Sequence, residues 1–216
     1  MVINLSSGNS LIHVYLRELR DIHIQSDRAR FRKNLERIGQ ILAYEISKTL
    51  QYEEIEVETP LTKTTVSVPA EHPVLCGILR AGIPLFNGFV SFYDHSDCSF
   101  VGAYRGKHAL DHSFEIELDY AVAPRLDGRS LILIDPMLAT GKSIIKAYEA
   151  LKRFGQPKKL HIASVISSPE GIEWLQSKLP EACIWTAAID RELDADAYII
   201  PGLGDAGDLS YGTKES

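Results

Sequence analysis

Between residues 26 and 50, Phe31, Leu35, Ile38, Leu42 and Ile46 recur at three- and four-residue spacing, the signature of a helix with one apolar face. Ser26 or Asp27 stands where an N-cap belongs. Arg28, Arg30, Arg32 and Lys33 fall on the polar side, a solvated face with reach enough for one or two of them to meet a partner subunit. Residues 53–73 mix β-branched side chains with prolines and predict an irregular arm or hood with short strands. From residue 74 the pattern changes. Residues 74–79, 99–104, 130–134, 160–166, 182–188 and 197–200 are short apolar runs. Helix-like stretches separate several of them, one reaching Phe92 and one covering 142–154. In the latter Ile144, Ile145, Tyr148 and Leu151 point inward, and Gly155 suits the position just past its end. Ser168-Pro169 opens a further helix with a cap and a first-turn proline.

These strand runs are apolar rather than alternating, as expected of strands covered on both faces. Alternating strands and helices of this kind predict an α/β fold built on a mostly parallel central sheet flanked by helices. Ligands of such sheets bind beyond the carboxyl ends of the strands. Three polar, glycine-rich segments fall there: 80–82, 135–143 and 201–208. With neither an internal repeat nor a convincing linker, residues 1–216 read as one domain.

Composition narrows the function classes. The chain has 216 residues, 45% of them hydrophobic and 24% charged, which argues against long disorder or a fibrous repeat. A net charge of −6 argues against non-specific nucleic-acid binding. The sequence begins without the basic segment and apolar run of a signal peptide. No stretch approaches the roughly 20 apolar residues of a membrane span. The expected location is the cytoplasm, with neither nucleic acid nor membrane as partner. Cys76, Cys98 and Cys183 form no CxxC pair, so neither a disulfide framework nor a zinc site is indicated. Cys76 and Cys183 lie in apolar runs and read as small buried hydrophobes. His108 and His112 are four apart, but Gly106 and Asp111 place them in a solvated loop rather than on a metal-binding helix face.

The chemistry concentrates in Leu131-Ile132-Leu133-Ile134-Asp135-Pro136-Met137-Leu138-Ala139-Thr140-Gly141-Lys142-Ser143. A buried strand delivers a carboxylate, a loop of small residues follows, and a helix begins. Loop amides and a helix N-terminus together make a phosphate site, to which Thr140 and Ser143 add hydroxyls. Asp135 points at whatever carries the phosphate, a sugar diol being a natural partner. Gly141-Lys142-Ser143 fits the end of a P-loop, but Pro136 would occupy its first glycine and lacks an amide donor. Taken alone, the segment also fits a plain Asp-Pro turn with Thr and Ser capping a helix.

This stretch strongly resembles the phosphoribosyl pyrophosphate (PRPP) motif of type I phosphoribosyltransferases. Its form Asp-Pro-Met-Leu-Ala-Thr-Gly is similar to that of the members acting on uracil, with Pro136 where most other members have a second acid. Lys142 departs from the usual glycine. A second match is Tyr198-Ile199-Ile200-Pro201-Gly202-Leu203-Gly204-Asp205-Ala206-Gly207-Asp208, which resembles that family's uracil-binding loop. Uracil presents alternating N–H and C=O groups, and rigid backbone groups discriminate strongly because a wrong base leaves buried polar groups unpaired. Leu209 replaces a basic residue common in the family, and Tyr211 stands where phenylalanine is usual. Ile78-Leu79-Arg80-Ala81-Gly82 and Val101-Gly102-Ala103-Tyr104-Arg105 match its two arginine positions.

The resemblance implies a type I phosphoribosyltransferase fold with an N-terminal helix, a hood and a flexible β-arm at about 106–124, where the family's usual pattern is lost. It implies transfer of the phosphoribosyl group from PRPP to uracil, giving UMP. PRPP is expected at Arg80, Arg105, Asp135, Pro136, Met137, Leu138, Ala139, Thr140, Gly141, Lys142, Ser143 and Asp205. Uracil is expected at Ile199, Gly204, Asp205 and Ala206, with Asp205, Arg105 and Asp135 as the catalytic set. Mg2+ is expected to be held mainly by PRPP, without a committed protein ligand. A homodimer or larger homo-oligomer and a GTP activator complete the expectation. A phosphoribosyltransferase for another base, and a non-catalytic PRPP- or nucleotide-binding regulator of the same fold, remain the alternatives.

Overall fold

Alternate residues of one short strand face two different cores, and the fold is built outward from it. The computed structural model describes residues 1–105 and 116–213. In chain order the elements are β1 (Val2–Asn4), α1 (Ile12–Arg20), α2 (Arg28–Ser47), β2 (Tyr52–Glu58), β3 (Lys63–Pro69), β4 (Val74–Leu79), α3 (Ile83–Val90), β5 (Cys98–Arg105) and β6 (Ile116–Val122). There follow β7 (Ser130–Ile134), β8 (Met137–Leu138), α4 (Lys142–Leu151), β9 (Lys159–Ser167), α5 (Pro169–Lys178), β10 (Cys183–Ile189), β11 (Glu192–Leu193), β12 (Ile199–Ile200) and α6 (Ala206–Tyr211).

The main sheet runs β1-β10-β9-β7-β4-β5-β6, with β8 pairing beside the end of β9. Every pairing in it is parallel except β5 with β6, which is antiparallel. In β7, Ile132 and Ile134 pack with the apolar faces of α1, α2 and α3. Leu131 and Leu133 turn the other way, toward Ile144, Ala147 and Leu151 of α4 and Leu175 of α5. The period-two alternation of a strand thus feeds two cores, which is why Leu131 to Ile134 are apolar in succession.

Helix α2 begins at Asp27, whose side chain accepts from the amides of Ala29 and Arg30. It buries all five residues of the predicted stripe, and Asn34 with them. It crosses α3 so closely that a Cβ on Gly39 would lie 2.3 Å from the Leu85 carbonyl oxygen. Its basic face is solvated at Arg28, Arg30 and Lys33, as the pattern predicts, and Arg32 is half-buried. Arg30 forks onto Glu18 of α1 at 2.5 and 2.8 Å, and Asn34 adds a bond at 2.7 Å. Those bonds favour the charged carboxylate and hold Glu18 down at about 2. Arg32 donates from Nη1 to the Ser210 carbonyl, 2.7 Å away, and so ties α2 to the C-terminal helix.

Three expectations are corrected. The hood is a regular antiparallel hairpin, β2 against β3, in unbroken register from Tyr52↔Pro69 to Glu58↔Lys63. It is exposed along most of its length, so no burial pattern marks it. Residues 197–200 do not extend the main sheet; only Ile199 and Ile200 are strand, paired antiparallel with β11 in a separate ribbon. Helix 142–154 ends at Leu151 and closes with a tighter turn at Lys152–Phe154. Helices α1 and α6 lie outside the sequence reading altogether. Of the predicted arm, residues 116–122 form edge strand β6, while 106–115, with His108 and His112, lie outside the described residues. Cys76 is buried, its thiol pushed up to about 12 by desolvation; Cys183 is half-buried.

Candidate active site

Strand β7 delivers Asp135 to the carboxyl edge of the sheet, where its amide donates to the Ala163 carbonyl at 3.1 Å. One Asp135 carboxylate oxygen accepts from the Met137 amide at 3.2 Å. The chain is then stitched to β9. The Pro136 carbonyl accepts from the amides of Val165 and Ile166 at 3.0 and 3.1 Å, and Met137 and Leu138 pair with Ile166 and Ser167. Leu138 is buried beneath α4 and α5. Residues 136–138 therefore frame the loop, and the chain turns outward from Ala139.

Ser168, the cap of α5, holds that turn. Its hydroxyl donates to the Ala139 carbonyl at 2.7 Å and accepts from the Gly171 amide at 2.9 Å, and its own amide donates to the Leu138 carbonyl at 2.9 Å. Gly141 has φ +75°, a left-handed conformation that suits glycine. A side chain there would also press on Leu175, Trp174 and the Gly171 carbonyl at 3.1–3.2 Å. The hydrogen-bond ladder of α4 starts with the Ile145 amide donating to the Gly141 carbonyl at 3.1 Å. The amides before it sit at the positive end of the helix dipole. Thr140 Oγ1 accepts from the Lys142 amide at 3.4 Å. Thr140 and Ser143 are half-buried and Lys142 is exposed. This is the geometry of an anion site.

Two further loops meet it. Gly82, just past β4, lies against the end of β7, where a Cβ would come within 2.8 Å of the Ile134 carbonyl oxygen. Arg80, joined to Leu79 by a cis peptide, keeps 43% of its side chain exposed, with Nη2 3.5 Å from Asp208 Oδ1 and from the Gly212 carbonyl. A Cβ on Gly207 would be 3.9 Å from that of Ala81. Arg105 ends β5, the parallel neighbour of β4, so its backbone lies at the same edge.

The base-loop residues gather in one turn. Ile199 is buried and pairs with Leu193. A cis Ile200–Pro201 bond and Gly202, at φ +63°, reverse the chain. Gly202 must be glycine, since a Cβ would lie 2.1 Å from the Ile199 carbonyl oxygen. Gly204 is exposed at φ +89°, and Ala206 is buried. Asp205 caps α6, its Oδ1 accepting from the Asp208 amide at 2.9 Å.

Sequence reasoning missed what stands behind this turn. Arg20 and Asp190 form a short ion pair, and Gln25 Nε2 donates to the Leu203 carbonyl at 3.4 Å. Asp190 lies two residues past the predicted run 182–188, and Arg20 ends α1, for which the sequence pattern gives no expectation. Among the described residues, no group of three or more His, Cys, Asp or Glu side chains is arranged to hold a metal ion.

The sequence profile described as uracil phosphoribosyltransferase matches residues 6–213. The chain belongs to the uracil phosphoribosyltransferase family. It is 46% identical over 214 residues to the uracil phosphoribosyltransferase of Porphyromonas gingivalis strain ATCC 33277, covering 99% of each chain. It is 42% identical over 200 residues to that of Thermococcus gammatolerans, covering 91% of this chain and 87% of the relative. The AQ2163 protein from Aquifex aeolicus superposes with a TM-score of 0.87 at 30% identity, over 98% of both chains. The TT1426 protein from Thermus thermophilus, 18% identical, shares the fold at a TM-score of 0.51, over 82% of this chain and 94% of its own. The mostly parallel sheet with helices on both faces is the type I phosphoribosyltransferase architecture expected from the sequence.

Proposed function

We propose that this protein is a glycosyltransferase that moves the 5-phosphoribosyl group of PRPP onto uracil, releasing UMP and diphosphate, a pyrimidine-salvage reaction. The observation that carries this reading is the convergence, at one sheet edge, of the anion loop at the start of α4 with the backbone-rich turn 199–206, in a chain of this family. The 5′-phosphate occupies Ala139–Ser143, framed by Pro136–Leu138, and Asp135 takes the ribose hydroxyls. Arg80 and Arg105 take the diphosphate, for which the planar guanidinium fork is suited. Mg2+ enters as part of the PRPP substrate and offsets the charge of the leaving group.

The C1′–O bond to diphosphate breaks with oxocarbenium character, and uracil N1 forms the new bond to C1′ as its proton leaves. The chain's contribution is positioning and charge stabilisation. Uracil is held by Ile199 and by Gly204 to Ala206, and Asp205 is the carboxylate assigned to the reacting centre. The resemblance also carries a homo-oligomer and a response to GTP into this reading; sedimentation with and without GTP tests both.

The deciding experiment is UMP formation from PRPP, Mg2+ and uracil, with cytosine, hypoxanthine, adenine and orotate in parallel. Product with uracil alone is expected. Product with another base overturns the base assignment. A folded, PRPP-binding protein without product for any base is a regulator, not an enzyme.

A further inference from the structure

Behind the base loop stands an ion pair that the transfer chemistry does not use. Asp190 follows β10 with its side chain only 4% exposed. Arg20, the last residue of α1, forks onto it, Nη2 to Oδ1 at 2.5 Å and Nη1 to Oδ2 at 2.8 Å. The same Nη1 donates to the Gly202 carbonyl at 2.9 Å, and the Gly202 amide donates to Asp190 Oδ2 at 2.9 Å. Both polar groups of Gly202 are thus clamped in one closed ring of bonds. Gly202 is buried and lies between Ile199 and Gly204, the two halves of the base-binding turn. Gln25 reinforces the clamp, bonding the carbonyls of Leu19, Arg20 and Leu203 at 3.0, 3.2 and 3.4 Å.

Stability alone is a weak reason for such a pair, because apolar residues of similar volume often serve as well. What it supplies is direction: two parallel bonds and a third to the loop backbone fix an orientation that a point charge cannot. Recognition by backbone groups tolerates displacements of only about half an ångström. We infer that Arg20 and Asp190 are positioning residues for the base, setting the orientation of the turn around Gly202, from Ile199 to Gly204; this rests on the uracil-transfer reading. The N-terminal helix thereby governs base affinity and selectivity more strongly than PRPP binding.

Arg20→Lys and Asp190→Asn test this, with initial rates measured against each substrate, PRPP affinity by calorimetry, and circular dichroism for the fold. Lysine replaces the two-pronged guanidinium by a point charge and asparagine turns one acceptor oxygen into a donor, so each variant breaks one or two bonds to a charged group, which predicts a KM for uracil raised roughly tenfold or more, with KM and Kd for PRPP changed less. Discrimination of uracil over cytosine falls in step. In Arg20→Ala, added guanidinium ion lowers the uracil KM again, which a merely structural defect would not show. An unchanged uracil KM in a folded variant, or both KM values rising together, overturns the inference. A parent protein that makes no UMP would instead sink the uracil-transfer reading, and this proposal with it.

Discussion

Arg80 Nη2 lies 3.5 Å from Asp208 Oδ1, spanning from the loop after β4 to the helix that follows the base turn. The contact is stretched and 43% of the arginine side chain is exposed, so it adds little to stability. In the proposed reading this exposed guanidinium passes from Asp208 to the diphosphate of PRPP. Replacing Arg80 by Ala is expected to lower kcat/KM for PRPP by roughly 10- to 100-fold, the range of one or two lost bonds to a charged group. The melting temperature should stay within about 2 °C, as for an exposed surface change. Steady-state kinetics with thermal denaturation check this. A wild-type kcat/KM would remove Arg80 from the PRPP site.

The parts of this site that a single sequence discloses are those whose burial leaves a local mark. Strands 74–79 and 130–134 have the limits read from the sequence because, Ser130 apart, their residues are apolar and almost every one is buried. The anion loop is legible because strand, small-residue turn and helix are contiguous. Helix α1 carries Ile12, Leu16 and Leu19 at helical spacing, but over nine residues that signal passes for a terminal tail. The β2–β3 hairpin has no buried face to betray its period, and its register resides in cross-strand bonds. The Arg20–Asp190 clamp joins residues 170 positions apart; local spacing carries no trace of it.

The loop at the start of α4 is sensitive to one methyl group. Gly141→Ala places a Cβ at φ +75° and against three neighbours at 3.1–3.2 Å. The left-handed conformation alone costs about 1–2 kcal/mol for a non-glycine residue. Urea denaturation should show at least that loss, and relaxation of the turn should raise KM for PRPP while uracil KM changes less. Parent-like stability and kinetics would mean that the loop accommodates a side chain and is not the rigid cradle described.

A buried histidine gives the fold an acid-sensitive point. His161 is fully buried, and its Nδ1 accepts from Trp185 Nε1 at 3.1 Å. The proton of the neutral ring is therefore on Nε2, which has no hydrogen-bond partner among the described residues. Burial, then the nearby Lys159, push the imidazole from 6.5 down to about 4, against a smaller opposing effect of Glu71. The unfolded chain consequently binds a proton that the native state refuses. The neutral ring's contribution is intact above pH 6.5 and is lost as pH falls from there toward 4, with a slope of at most about 1.4 kcal/mol per pH unit. His161→Asn should flatten the urea-derived stability curve in that window. The separate loss from Glu18, lowered from 4.5 to about 2, should persist below pH 4.5. Identical slopes for parent and variant between pH 6.5 and 4 would refute the assignment.

Asp205 has two duties that different substitutions separate. Its Oδ1 caps α6 through the Asp208 amide at 2.9 Å, and the functional reading also gives its negative charge a part at the reacting centre. Asn keeps an oxygen for the cap, so Asp205→Asn should melt within about 2 °C of the parent. Ala removes the cap and should cost about 1 kcal/mol. If the charge matters to transfer, both variants lose kcat to a similar extent, although only one loses stability. If the residue acts only by holding α6 and the base turn, Asn retains parent kcat and Ala alone is impaired. Measuring kcat and melting temperature for the pair therefore divides a chemical role from a capping one.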